Sequence, residues 1–201
     1  MNNSNLLHID AFEKKRHQPK LLRNLLLFIA LSIIAGIITP FITDLSAPLK
    51  EQGIPQDQID AMMTFIYIFT VISVSFGNLF NWLIYFVIVL IIAKIAKSNV
   101  SVKSIWASTL LMLVILAVIS VVVMLIQWMF GLQLPDINIA SLNIFSPGQP
   151  QLGAINIQNI LTAWLFGVIL HSTCHLSKKW SAVLAVVHFI IVFSLTFLSL
   201  I

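Results

Sequence analysis

Long runs of apolar residues, separated by short polar segments, make up most of this 201-residue sequence. Residues 24–43, 104–130, 157–176 and 180–201 contain no Asp, Glu, Lys or Arg. A helix that crosses a hydrocarbon core of about 30 Å needs about 20 residues at 1.5 Å each, so each run predicts one membrane-spanning helix. The first run could instead be a signal peptide. It exceeds the usual signal core of about 7–15 residues and lacks an Ala-x-Ala cleavage site, which favours a retained anchor.

Residues 61–93 form a further uncharged run. As a helix it would reach about 50 Å, which is more than one crossing requires. Two short crossings divided near Gly77 are the alternative, but they would place the lysines that follow on the outer side. We therefore predict one crossing at 78–97. We predict that an apolar helix at 61–76 precedes it and projects, tilts or lies at the outer interface, with Gly77 as a candidate kink.

The composition places this chain among membrane proteins. Hydrophobic residues make up 59%, charged residues 9%, and the mean hydropathy is +1.02. Soluble domains average about 45–50% apolar and about 25% charged residues. A soluble enzyme, a secreted disulfide scaffold and a free nucleic-acid-binding module are therefore excluded. We predict an all-α polytopic membrane bundle with five transmembrane helices, forming a single domain over residues 24–201.

The charges predict how the chain is threaded. Lysine and arginine concentrate in the first 23 residues and at 94–103 and 178–179, whereas most acidic residues lie at 44–60. Basic residues in short loops stay in the cytoplasm, so we expect the N-terminus inside and the C-terminus outside. Residues 1–23 are then a cytoplasmic basic tail, and residues 44–77 and 131–156 are outer segments. Contact of the tail with anionic lipid accounts for its charge, and we expect no nucleic-acid partner.

The predicted spans offer little material for catalysis. Ionisable residues inside a membrane usually mark functional sites, but here the deepest, Lys94, can extend its ammonium to the headgroups. No carboxylate pair is available within the spans for acid–base chemistry. Phosphate-binding and hydrolase motifs are also missing from the sequence. We therefore predict a protein that is not an enzyme and that has no cofactor.

The run HSTCH is the one candidate for metal chemistry. His171, Cys174 and His175 have spacings that would place them on one helical face, and a tight hairpin would bring His188 to a depth comparable with that of His171. No carboxylate completes this set. We favour a structural role in which neutral histidines bond to backbone carbonyls, and a metal or haem protein is the less favoured alternative.

The loop at 131–156 is the predicted working surface. It is long for a connector, and such loops are usually functional or disordered. Residues 136–145 partly alternate polar and apolar side chains, which predicts an extended segment. We expect it to dock with residues 61–76 into an outer cap that contacts a peptide or a partner subunit. The candidate interaction residues are Asp136, Ile137, Ile139, Leu142, Ile144 and Phe145.

Two stretches of the chain carry a family resemblance. WLIYFVIVLIIAKIAKSNVSVKSIWASTLLMLVI and WLFGVILHSTCHLSKKWSAVLAVVHFIIVF resemble bacterial members of the Yip family, whose eukaryotic members interact with Rab-type GTPases. The resemblance covers residues 78–201 and implies the same five-span topology. The Asp-Leu-Tyr-Gly-Pro signature and long cytoplasmic domain of eukaryotic members are missing, so Rab binding does not carry over. The resemblance implies a multi-pass protein of the cell membrane, which in a bacterium is the cytoplasmic membrane.

The resemblance also implies a function through other membrane proteins. Some bacterial relatives look like accessory subunits of ABC exporters that remove toxic peptides. We expect a non-enzymatic scaffold or accessory protein that supports such a transport complex and confers resistance or immunity to a membrane-active peptide. The alternative is a stand-alone peptide-binding immunity protein or a small transporter.

Overall fold

The computed structural model describes residues 9–199, most of which are helical. Within these residues no β-strand forms, and only isolated bridge pairs occur. Four helices are long and apolar enough to cross a membrane, which confirms the prediction of an all-α polytopic bundle. The helices are α1 (Ile9–His17), α2 (Leu22–Ile42), α3 (Ala47–Glu51), α4 (Gln56–Ile95), α5 (Val102–Met129), α6 (Ile157–Val168) and α7 (Lys178–Leu198). The four candidate spans are α2, α4, α5 and α7.

The span predicted at 157–176 is shorter than expected. Here α6 has 12 residues and is followed by a five-residue π-helical turn, Ile169–Thr173. Together they reach about 25 Å, slightly less than the hydrocarbon core of about 30 Å. The other predicted spans lie close to α2, α5 and α7. The last two residues of the final span, 200 and 201, are outside the part of the chain that the structure describes.

The predicted helix at 61–76 and the crossing at 78–97 are two parts of one helix. With 40 residues, α4 is about 60 Å long and has no break at Gly77. A Cβ atom at Gly77 would have no neighbour within 4 Å, so no packed group forces a kink there. Because the helix does not reverse between its ends, the alternative of two crossings is wrong. Pro55 caps the start of α4, and Asp57 lies in its first turn, where an acid is favourable.

The bundle is built around α2, which packs against both α4 and α5. α6 packs against α5, and α7 lies at the edge against α6. Two glycines allow close helix crossings. A Cβ atom at Gly36 would lie 2.9 Å from Cα of Val71 on α4, and one at Gly167 would lie 2.9 Å from Cβ of Ala185 on α7. Small residues serve this purpose in membrane bundles. Lipid provides no hydrophobic driving force for helix association, so close van der Waals packing of the backbones contributes more.

The two ends of the bundle differ in charge. We call the end formed by α1 and the turns at 96–101 and 174–177 the basic end, and the end formed by the segments at 43–55 and 131–156 the cap end. The lysines and arginines collect at or near the basic end, apart from Lys50. Which end faces the cytoplasm stays a prediction from the positive-inside pattern.

The predicted basic tail contains a docked helix, α1, which was not predicted from the sequence. Phe12 is fully buried within the core at the basic end. Arg16 donates from Nη1 to the carbonyl oxygen of Thr173 at 2.6 Å. The hydroxyls of Thr173 and Ser104 donate to the carbonyls of Phe12 (3.2 Å) and Arg16 (2.8 Å). These contacts join α1 to α5 and to the π-helical turn.

Candidate functional site

The loop at 131–156 is an ordered cap whose framework is made by polar side chains. Asn143 is 1% exposed; its Oδ1 accepts from the backbone N–H of Asn138 at 2.8 Å, and its Nδ2 donates to the carbonyl of Gln149 at 3.0 Å. Buried Gln127 at the end of α5 donates to the carbonyl of Ile137 at 2.9 Å. The backbone of Leu134 donates to α2 at 2.7 Å. The cap is therefore fastened to both α2 and α5.

The prediction that residues 136–145 are extended is wrong. The segment forms turns and a 3-10 helix, Leu142–Phe145. Asn138 and Ser141 accept hydrogen bonds from backbone N–H groups two residues ahead, at 3.0 and 3.2 Å. Such local side-chain bonds favour turns over a strand. A second 3-10 helix, Pro150–Ala154, packs against α7.

The six candidate interaction residues fall into two groups. Ile137 and Ile139 are half-buried, whereas Asp136 and the apolar members of the 3-10 helix are exposed. Leu142, Ile144 and Phe145 are 41, 42 and 83% exposed. The cap thus presents three large apolar side chains from a framework that is hydrogen-bonded internally.

The expected partner of this loop, residues 61–76, packs mainly on α2. Val71 contacts Gly36, and Val74 packs against the same cluster as Leu134 of the cap. The other face of this stretch stays open, with Phe65 and Phe76 each 68% exposed. In the segment between α2 and α3, hydrogen bonds from the hydroxyl and the backbone N–H of Ser46 lower the pKa of the Asp44 carboxyl, which also lies 4.0 Å from Lys50.

The histidines and the cysteine do not share one helical face, so that prediction is wrong. The helix ends at Thr173, before Cys174 and His175, and the positive φ of His175 (57°) turns the chain away. His171 Nδ1 lies 2.9 Å from the carbonyl oxygen of Leu176, a contact of the kind predicted for a structural histidine.

His188 is also separated from His171. The ring of His188 stacks on the ring of Phe166, with the two centroids 4.6 Å apart. Phe166 precedes His171 by five residues, which corresponds to about 7 Å along the helix axis. The tight hairpin therefore does not bring the two rings to one depth. Within residues 9–199, no group of three or more His, Cys, Asp or Glu side chains is placed to hold a metal ion.

An open polar cavity between the helices was not predicted from the sequence. It has a volume of about 380 Å³ and lies nearer the cap end, since it reaches the first turn of α6 and the last turn of α7. Apolar side chains of α2, α5 and α7 form part of its wall. The polar side chains that line it, all uncharged, are Asn78, Asn81, Tyr85, Ser120, Gln158, Asn159, Thr162 and Thr196.

Three amides in this cavity lack internal partners. The side chains of Asn78, Asn81 and Gln158 make no hydrogen bond to any residue within 9–199, whereas Asn159 Nδ2 donates to a backbone carbonyl at 3.1 Å. Asn78 and Gln158 are half-buried and Asn81 is exposed, and a polar group without a partner is costly where lipid replaces water. The cavity therefore suits water or a ligand that both donates and accepts hydrogen bonds.

The sequence carried a weak signal for this cavity. Asn78 and Asn81 are spaced three apart, and Gln158 and Thr162 four apart, so each pair lies on one helical face within an apolar run. These amides carry no charge, so they do not stand out among the ionisable residues expected to mark sites within a membrane.

Comparison with known proteins gives one family match. A family model for the Yip1 domain matches residues 8–200, which is nearly the whole chain. No curated protein and no solved structure gave a match. The match agrees with the helical bundle and with the multi-pass membrane character of the chain. The chain therefore belongs to the Yip1 domain family.

Proposed function

We propose that this protein is a non-enzymatic membrane scaffold that supports the assembly or activity of a membrane transport complex. The specific case we favour is an ABC exporter that confers resistance or immunity to a membrane-active peptide. Membership in a family of membrane proteins supports the general role. The partner is then another integral membrane protein, in contact with the same bilayer.

The ordered cap is the observation that carries this proposal. A flexible loop loses entropy when it binds a partner, whereas a preformed surface avoids most of that cost. The buried amide of Asn143 holds the framework, and Leu142, Ile144 and Phe145 remain exposed on it. Exposed apolar side chains on a rigid frame suit the core of a protein interface.

The test is co-purification of a tagged protein from native membranes in gentle detergent. We expect an ATPase subunit and a permease subunit to accompany the wild type. Replacing Leu142, Ile144 and Phe145 together by Ala should lower their recovery about tenfold, since several contact residues each contribute more than about 1 kcal/mol at interface centres.

A matched control removes three exposed apolar side chains from α2 instead of from the cap. Leu26, Ile33 and Ile37 on α2 are 59, 42 and 51% exposed, and their replacement by Ala should leave recovery unchanged. Unchanged recovery in the cap variant, at equal protein level, would remove the cap from the proposal.

The polar cavity favours the second candidate, a stand-alone peptide-binding immunity protein or small transporter. Peptide groups both donate and accept hydrogen bonds, as do the three amides without internal partners. Replacing Asn81 and Gln158 together by Leu should weaken binding of a fluorescent membrane-active peptide about tenfold, because each lost hydrogen bond is worth about 1 kcal/mol. Gln149→Leu, an exposed amide in the cap, is the control. Equal binding by all three proteins would rule out the cavity as a peptide site.

A further inference from the structure

A second cavity, of about 780 Å³, opens at the basic end. It lies where the turn after α4 meets the turn between the π-helical segment and α7. Ser98 Oγ donates to the carbonyl of Cys174 at 2.5 Å and joins the two turns. The cavity is therefore part of the folded bundle and does not depend on a loose segment.

Three basic side chains line this cavity, from three separate parts of the chain. They are Arg16 of α1, Lys97 after α4, and His175 before α7. The bond from Arg16 Nη1 to the carbonyl of Thr173 holds the guanidinium at the wall and leaves its other N–H groups free to donate. No Asp or Glu is among the described residues that line it; Glu13 lies in a neighbouring cavity that His175 also borders.

The chain turns sharply at two helix ends beside this cavity. Within residues 9–199, the two residues other than glycine with positive φ are Lys97 (52°) and His175 (57°), and both line it. Both residues follow a helix end, where a left-handed residue commonly ends the last turn, as the bond from the N–H of Ser98 to the carbonyl of Ala93 shows. The arrangement places two basic side chains from unrelated turns beside one space.

Helix ends at the cavity also favour an anion. α7 begins in its wall at Ser177 and Trp180, so the positive end of that helix dipole lies close by. Free carbonyls at the end of a helix repel an anion. At the end of α4, however, the carbonyls of Ile92, Ala93 and Lys94 are not free, because they accept hydrogen bonds from the backbone of the following turn.

The remaining wall is apolar and is open to the surroundings of the bundle. Ile92, Ile95 and Leu184 line it together with Trp180. Ile95 is 77% exposed and Trp180 is 61% exposed. A soluble phosphate would leave this wall empty, whereas an acyl chain would cover it. Basic pockets between membrane helices bind anionic lipid headgroups elsewhere.

We propose that this cavity binds an anionic phospholipid, with its phosphate group between Arg16, Lys97 and His175 and an acyl chain along Ile95 and Leu184. The site is independent of the cap and of any transport partner. It assigns a defined binding position to lipid at the basic end, in addition to diffuse attraction of the tail to the bilayer.

The test is a lipid titration of the full-length purified protein, read by native mass spectrometry. The probes are phosphatidylglycerol and phosphatidylcholine with identical acyl chains. We expect the wild type to retain phosphatidylglycerol in preference to phosphatidylcholine. The variant with Arg16→Gln and Lys97→Gln should bind phosphatidylglycerol about tenfold more weakly.

The matched control is Lys14→Gln with Lys94→Gln. It removes two positive charges from the same end, near the same helix ends, at residues that do not line the cavity. Because Arg16 also holds α1, Lys97→Gln alone is measured too, with thermal unfolding to confirm folding. We expect weaker lipid retention in Lys97→Gln and wild-type retention in the control.

Three outcomes would overturn the proposal. Equal loss in the control and the cavity variants would indicate diffuse charge attraction. Equal retention of the two lipids by the wild type would remove phosphate-group recognition. Stabilisation of the wild type by inorganic phosphate alone, lost in Lys97→Gln and unaccompanied by lipid preference, would assign the site to a soluble phosphate compound.

Discussion

At the cap end, a single buried amide organises much of the segment that follows α5. Asn143 bonds to the chain on both sides of itself, to the N–H of Asn138 and to the carbonyl of Gln149. Its side chain replaces backbone partners that a helix or a sheet would supply. Buried backbone groups must be paired, so this residue is a structural requirement of the cap.

We expect Asn143→Ala to loosen the cap without unfolding the bundle. The change leaves a buried N–H and a buried carbonyl without partners, at a cost of about 1–3 kcal/mol. Hydrogen exchange should accelerate across residues 131–156 and remain slow in α5. Gln149→Ala removes an exposed amide from the same segment and serves as the control. Unchanged exchange in Asn143→Ala would mean that the cap does not depend on this amide.

At the scale of helices, small residues determine which pairs come together. α2 and α4 meet where Gly36 faces the backbone of Val71, and α6 meets α7 where Gly167 faces Ala185. Gly77 is different, because nothing lies within 4 Å of a Cβ atom there and its helix continues without interruption. Glycine is therefore required for close packing at position 36 and is not required for packing at position 77.

This difference predicts opposite effects of one substitution. Gly36→Ala should destabilise the bundle by about 1–3 kcal/mol, because the added methyl overlaps a backbone atom that cannot yield easily. Gly77→Ala should stabilise it, by up to about 1 kcal/mol, because alanine favours the helix and meets no neighbour. Unfolding in detergent with increasing denaturant compares the two variants. Equal effects of the two changes would contradict the close crossing of α2 and α4.

For the whole molecule, the two ends are chemically distinct. The basic end holds α1 and the lysine-containing turns, and the cap end holds two of the acid-bearing segments and the 3-10 helices. α4 connects the two ends over about 60 Å. If the positive-inside pattern applies, the basic end faces the cytoplasm and the cap faces outward.

Cysteine labelling tests this orientation. Gln52 and Gln149 are exposed at the cap end, and Asn99 is exposed at the basic end, whereas the native Cys174 is buried. An impermeant thiol reagent added outside intact cells should label cysteine at Gln52 or Gln149 and not at Asn99. Labelling should appear at Asn99 once the membrane is opened. External labelling at Asn99 with none at Gln149 would invert the topology.

The sequence by itself determined the class of this protein and the approximate limits of most helices. A helix in hydrocarbon must satisfy its backbone internally and must be apolar for about 20 residues, and this demand is visible in every long run. The true start of α4 also carries a local signal, because Pro55 precedes a first turn that contains Asp57.

Only the tertiary structure decided which helix faces meet. Lipid is as apolar as the bundle interior, so the apolar pattern along a span does not reveal its buried side. The docking of α1 joins Phe12 to Thr173, and Asn78 and Gln158 line the same polar cavity. These residues are far apart in the chain, and no local preference places them together. The docking of α1 and the two cavities depend on such distant contacts, which packing and hydrogen bonding select.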